Sequence, residues 1–272
     1  MQLTGSVSLL IIIINCVVSW RGFRETDFFA RYEFEVEKIM IYKDYKRLVT
    51  SLFLHVNWQH LIFNMISLLL FSFALEGFMG SLKFIALFFL SGVGGNLLAL
   101  LIHRTDGSYS SVGASGAING IIFASIAVFP QMAIFFIPGW LFGLIFIVYS
   151  IYGIRSKKDN IGHEAHLGGA LAGMLIATVF YPSIILSNPL PVLLIGLPVI
   201  AFIIIIVKNP SLLMVDSFWF KKQQNYTVDD RYNVQKKTSQ QEVDRILEKI
   251  HRKGMQSLSR KEKEVLKEYS RR

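Results

Sequence analysis

The sequence predicts an all-α polytopic membrane protein: a bundle of six transmembrane helices, a seventh transmembrane helix after it, and a short helical C-terminal tail. Three observations carry this. Hydrophobic residues make up 53% of the 272 and charged residues only 17%, against roughly 25% charged for an ordinary soluble domain; mean hydropathy is +0.46. Charge is also segregated: the first charged residue is Arg21, and residues 208–272 hold 16 of the 28 Lys and Arg and 9 of the 19 acids. Finally, a spanning helix needs about 20 apolar residues. Seven runs approach or meet that length, at 3–20, 52–75, 81–102, 114–129, 132–151, 163–181 and 190–207.

The first run lacks a basic leading region and a cleavage site before Arg21, so it reads as a span rather than a signal peptide. Residues 21–50 form the longest connection in the membrane part and mix charges with Phe28, Phe29, Tyr32, Phe34, Tyr42 and Tyr45. Such a segment is either a solvated loop or lies in the headgroup region with its apolar face down. Short connections follow, so the next spans pack as a compact bundle; residues 150–162 are a polar, glycine-punctuated loop before the sixth. The seventh run contains Pro198, which membrane helices tolerate. Beyond it come Phe218, Trp219 and Phe220, then a basic tail in which Val243, Ile246, Leu247 and Ile250 share one helical face and Gly254 is a stop. The divisions are a core at 1–185, the additional helix at 186–210 and a basic soluble tail at 211–272. One cysteine, Cys16, excludes an intrachain disulfide and says nothing about redox compartment.

Polar residues inside spans carry the chemistry, because each is costly in hydrocarbon. The second span holds His60 and Asn64, four apart on one face, with His55 near its start. The fourth opens on Ser115 within "SSVGASGAING", where Gly113 to Gly116 read as a tight turn into a helix. The sixth opens "GHEAHLGGALAG", with His163 and His166. Spacing argues against a metal site: a zincin needs histidines at i and i+4 with a glutamate base, and these stand at i and i+3 with no second acid on a neighbouring span. Glu164 suits a helix N-terminus at the membrane interface. Gly116 with Gly120, and Gly169 with Gly173, form small-xxx-small pairs that let two helix backbones approach closely. Ser115 and His166, each about a turn ahead of or at such a pair, then come within hydrogen-bond reach. A serine beside a histidine base is an activated nucleophile. The helix N-terminus, with His60 and Asn64 as donors, would stabilise an oxyanion.

These residues resemble the rhomboid family of intramembrane serine proteases. "HVNWQHLIFNM" is similar to its second-helix motif, "GASG" to its nucleophile loop and "AHLGGALAG" to its sixth-helix motif, in the family's order; Arg47 and Glu76 also sit where the family tends to keep an arginine and a glutamate. The resemblance covers residues 5–181. It implies Ser115 as nucleophile, His166 as general base, His60 and Asn64 at the oxyanion, and Gly116, Gly120, Gly169 and Gly173 as close-packing residues, with Gly113 and Asn119 supporting. It also implies a six-helix bundle with a catalytic cavity open to the extracytoplasmic side, cleavage of transmembrane segments of membrane proteins, and no cofactor, metal or nucleotide. One departure is Asn119, where many members carry an aromatic that stacks on the histidine; an amide there can hydrogen-bond His166 or a water. His163 is expected as a solvated interfacial residue.

The tail's net charge of +7 (16 − 9) favours the cytoplasm by the positive-inside rule, which is weak for segments of this length; a seventh span would place the tail outside. A catalytically silent relative that binds transmembrane clients is the alternative, argued against by intact Ser115 and His166. A transporter would show paired mid-membrane carboxylates or an inverted repeat, and neither is present. Expected partners are the lipid bilayer and single-pass or polytopic membrane-protein substrates, not nucleic acid; the tail is a docking element for another protein, or a solvated appendage. The location is a multi-pass cell-membrane one, with a bacterial plasma membrane expected.

Overall fold

The computed structural model describes residues 5–134, 136–156 and 161–208, with Val243, Ile246, Leu247, Lys249, Ile250, Leu258, Ser259, Glu262, Lys263 and Leu266 from the tail. Helix α1 (Ser6–Arg24) leads to two short helices, α2 (Thr26–Tyr32) and α3 (Val36–Met40), and then α4 (Arg47–Thr50) with a 3-10 turn (Ser51–Phe53). Long helices α5 (Trp58–Met79) and α6 (Ser81–His103) follow, then α7 (Ser115–Val128), α8 (Gly139–Ser156), α9 (His163–Phe180), α10 (Ser183–Ser187) and α11 (Pro189–Lys208). By length and composition α1, α5, α6 and α8 are able to cross a membrane.

The helices are inside-out relative to those of a soluble protein. The buried face of α1 carries Ser8, Ile11, Asn15, Ser19 and Gly22, while Leu9, Leu10, Ile13, Ile14 and Val17 point outward. In α5 the buried stripe includes Asn64, Ser72 and Glu76, and Ile62, Phe63, Ile66, Leu69 and Leu70 are exposed. An apolar solvent gives no reason to hide leucine, so helices associate through small and polar residues instead. At the centre is α7, buried continuously from Gly116 to Ala127 and packed against α5, α6, α8, α9 and α11.

Residues 21–50 are folded rather than a plain loop. Strand β1 (Phe34–Glu35) pairs antiparallel with β2 (Ser110–Ser111) just ahead of α7. Arg47, only 5% exposed, donates to the carbonyls of Ala30 and Glu33 at 2.8 Å and to Asp44 at 2.9 Å, tying α2 and the 41–46 turn to α4. At the other end of α5, Glu76 accepts from the Val7 and Ser8 amides and from the Ser8 and Ser81 hydroxyls. It thereby caps α1, whose first N–H groups have no intrahelical acceptor.

Three boundaries differ from those expected. The second run becomes helical only at Trp58, where the Asn57 side chain accepts from the His60 amide, a good N-cap. The run expected at 132–151 opens instead with a hairpin, β3 (Ala133–Ile134) and β4 (Ile137–Pro138), before α8. Phe129, ahead of Pro130, is held out of helix at φ −127°, ψ 66°, as a residue before proline prefers. The 150–162 segment is helical as far as Ser156. In the tail Val243 and Ile246 are buried but Leu247 is exposed, so the apolar face is narrower than the sequence suggests. Ser259 and Glu262 form a reciprocal capping box, and Lys249 reaches Glu262 at 2.8 Å. Phe218, Trp219, Phe220 and Gly254 lie outside the described residues.

Candidate active site

Ser115 is the first residue of α7 and follows Gly113, whose φ of +136° is a conformation that glycine adopts freely. The Gly113 amide donates to the Ser51 carbonyl at 3.0 Å. The loop is thus pinned to the 3-10 turn, and the Ser115 hydroxyl stands at the positive end of the α7 dipole. His166 lies in the first turn of α9, and its Nε2 is 2.8 Å from Ser115 Oγ.

Close backbone contact between α7 and α9 makes that distance possible. A Cβ at Gly169 would collide with the backbone of Gly116, and one at Gly173 with the backbone of Gly120. The two glycine pairs therefore face each other directly. A second seam, unrecognised in the sequence, joins α6 to α9. There a Cβ at Gly168 would come 2.8 Å from Leu98 Cβ and 2.9 Å from the Gly94 carbonyl, and one at Gly94 2.7 Å from Ala172 Cβ. Its residues, in "SGVGGN" and "HLGGA", carry the same small-residue signal and could have been paired.

On α5, His60 and Asn64 stand one turn apart. A Cβ built on Gly113 would be 3.0 Å from His60 Nε2 and 3.6 Å from Ser115 Oγ, so the imidazole and the hydroxyl border the same small volume. His60 Nδ1 and Asn64 Nδ2 are buried without a hydrogen-bond partner among the described residues. Buried amide nitrogens are seldom left unpaired; this one is a donor available to an acceptor brought from outside.

His55, fully buried, supports the loop from below. Ser19 donates its single proton to the Phe53 carbonyl at 2.9 Å, so at 2.8 Å from His55 Nδ1 its oxygen can only accept. Nδ1 therefore carries the proton and Nε2 is left to accept from the Ala114 amide at 3.5 Å. Ring edges of His55 and His60 meet at a centroid distance of 4.9 Å.

Three residues sit differently from their sequence expectation. Asn119 donates to the Ser115 carbonyl at 2.9 Å, not to His166; one turn ahead on its own helix is the nearer acceptor. The aromatic flanking His166 comes instead from α8, Phe146, at 6.3 Å between ring centres. His163 is 2% exposed, packed on the bare face of Gly153 and edge-on to Tyr149, rather than solvated. Glu164 is likewise buried and bonds His103 at 2.7 Å. Chemically, the site combines a hydroxyl in contact with an imidazole, which is an activatable nucleophile, with the His60 ring bordering the same loop and, one turn further along α5, the unpaired Asn64 amide; such donors suit a developing oxyanion.

Residues 42–183 match the Rhomboid domain family, and residues 226–272 match a family of unknown function, DUF6576. The chain is 36% identical to RHOMBOID-like protein 1 of Arabidopsis thaliana over 138 residues, which are 49% of this chain and 34% of that one. With the putative rhomboid protease YdcA of Bacillus subtilis it shares 32% over 135 residues, 48% of this chain and 65% of the relative. With the mitochondrial RHOMBOID-like protein 12 of Arabidopsis it shares 27% over 190 residues, 60% and 54% respectively. The chain thus spans from about a third to just under two thirds of the length of these relatives.

Proposed function

The chain belongs to the rhomboid family, and on that premise we propose that it is an intramembrane serine endopeptidase working through a Ser115–His166 dyad. The observation that carries the reading is the 2.8 Å contact between Ser115 Oγ and His166 Nε2 at the N-terminus of α7. Neutral His166 accepts the hydroxyl proton as Oγ attacks the scissile carbonyl. The oxyanion is received by the Ser115 amide, Asn64 Nδ2 and His60. His166 then protonates the leaving amine, and a water deprotonated by the same imidazole hydrolyses the acyl-enzyme. Among the described residues no acid completes a triad, and the dyad acts alone. Gly113 lets the loop approach His60, and Asn119 steadies the first turn of α7 through the Ser115 carbonyl.

In this reading α1 and α5 to α9, within residues 1–185, are the six core spans. Helix α11, within 186–210, is a seventh, and its passage puts the basic tail at 211–272 on the extracytoplasmic side. Ile195 of α11, in the notch left by Gly143 of α8, supports docking of that helix on the bundle. Substrates are transmembrane segments of other membrane proteins, and the host is a bacterial plasma membrane.

The test is cleavage of a model transmembrane segment in proteoliposomes by wild type, Ser115→Ala and His166→Ala. Cleavage lost in both variants, with folding and substrate binding retained, is the expected result. Cleavage that survives either change refutes the dyad. Binding without cleavage by wild type on several substrates makes the protein a client-binding relative.

A further inference from the structure

Among the buried polar clusters that the reaction described above leaves unused, one lies beside the dyad. Glu164, in the first turn of α9 and two residues before His166, sends its carboxylate away from the dyad to His103 at the last residue of α6, at 2.7 Å. A carboxylate only accepts, so His103 Nε2 is the donor. The His103 ring lies flat on Tyr109, with centroids 3.6 Å apart and planes within 6°. Tyr109 meets Phe34 edge-on, and its carbonyl accepts from the Val36 amide at 3.1 Å. It immediately precedes β2, and so stands six residues before Ser115.

The cluster therefore joins the two segments that carry the reacting groups. The seams below it are lined by Gly94, Gly95, Gly116, Gly168 and Gly169. Glycine seams allow close approach, and the side chains set against them, such as Leu98 and Ala172, give limited resistance to sliding or rotation of one helix on the other. A directional bond at the helix ends supplies what they lack. We propose that Glu164 and His103 are positioning residues: their bond, seated on Tyr109, sets the register of the α9 first turn against the Ser115 loop and so holds His166 Nε2 over Oγ. The inference rests on the protease reading for its kinetic consequence, though not for its geometric one.

Both consequences can be measured. Cys16 is the sole cysteine, so Cys16→Ser gives a clean background for a Ser115→Cys/His166→Cys pair, cross-linked in liposomes with a short bifunctional thiol reagent. Adding Glu164→Ala should slow cross-linking by about threefold or more, while Glu164→Gln, whose carbonyl still accepts from Nε2–H, should stay within about twofold of the parent. In the enzyme itself Glu164→Ala should lower kcat by about 10- to 100-fold, as ångström-scale misplacement does, with KM nearly unchanged and Glu164→Gln largely restored. Should Glu164→Ala fail to fold, His103→Ala removes the donor and carries the same test. Unchanged cross-linking, a rise in KM at constant kcat, or a glutamine variant as damaged as the alanine one overturns the proposal. If the wild type cuts nothing while cross-linking depends on Glu164, the protease reading fails and the positioning role stands. Dyad-dependent cleavage with both readouts indifferent to Glu164→Ala sinks the positioning role alone.

Discussion

Replacing Gly169 by alanine adds one methyl group at the tightest point of the α7–α9 seam. That carbon would collide with the Gly116 carbonyl oxygen, carbonyl carbon and Cα at once. These are backbone atoms, which cannot swing aside as a side chain does. Carbon contacts are comfortable near 3.5–4.0 Å, so the two helices must part by more than an ångström. His166 lies three residues away on the same helix and moves with it. The 2.8 Å Ser115–His166 contact then opens beyond the range of a useful hydrogen bond. A displacement of that size costs about a hundredfold in rate, or about 2.7 kcal/mol at 1.36 kcal/mol per decade. Overpacking itself costs a further 1–3 kcal/mol of stability, roughly. The assay is kcat for a model transmembrane substrate in proteoliposomes, with unfolding in mild detergent followed in parallel. Gly196→Ala on α11 is the control, because nothing lies within 4 Å of its Cβ, and it should match wild type in both. A Gly169→Ala enzyme with kcat within about threefold of wild type would refute the reasoning, since such a small loss is incompatible with an ångström-scale shift.

Three other outcomes follow from the same geometry. Ser19→Ala leaves His55 Nδ1 without its acceptor and loosens the Ala114 loop, lowering stability by about 2 kcal/mol for the bonds lost; Ser19→Thr, which keeps the hydroxyl, should restore most of it in equilibrium unfolding. Asn119→Ala removes only the bond to the Ser115 carbonyl and should cost about 1 kcal/mol of stability with kcat little changed; a large kcat loss at full stability would instead mean that the amide acts on the reacting atoms. Burial raises the Asp44 carboxyl pKa, but hydrogen bonds from Arg47 and Lys46 outweigh it and leave the group below its usual value of 3.8. A depressed carboxylate stabilises the fold above its unfolded pKa and loses that contribution as pH falls through the folded one. The hydrogen-exchange protection of the 25–46 segment, with the intrinsic pH dependence of amide exchange divided out, should therefore be flat at neutral pH and fall only below about pH 4, and Asp44→Asn should abolish the acid step.

Much of the site could be read from residue spacing, because membrane helices display their packing code openly. Ser115, His166 and the two glycine pairs are within reach of one another because glycine in hydrocarbon has few uses other than close approach, and because a buried hydroxyl or imidazole is costly enough to need a reason. Features joined by long-range contacts were hidden. Nothing local says that Phe34 pairs with Ser111, that Glu164 faces α6, or that Arg47 reaches carbonyls fourteen and seventeen residues back. His163 looked solvated since a histidine at a helix mouth usually is, and only the bare side of Gly153 on α8 makes room for it. The hairpin at 133–138 was masked by composition: its apolar residues count toward a span, and only the prolines at 130 and 138 hint otherwise.

The order in which the chain is made gives the Ser115–His166 separation another meaning. Ser115 is synthesised 51 residues before His166. At about 5–20 residues per second, the hydroxyl therefore emerges some 3–10 s ahead of its base. Gly169 and Gly173, which draw α9 against α7, emerge later still. Under the proposed reading, the nucleophile therefore has no base while the first helices are being made. The Ser115–His166 pair forms only when α9 closes against α7.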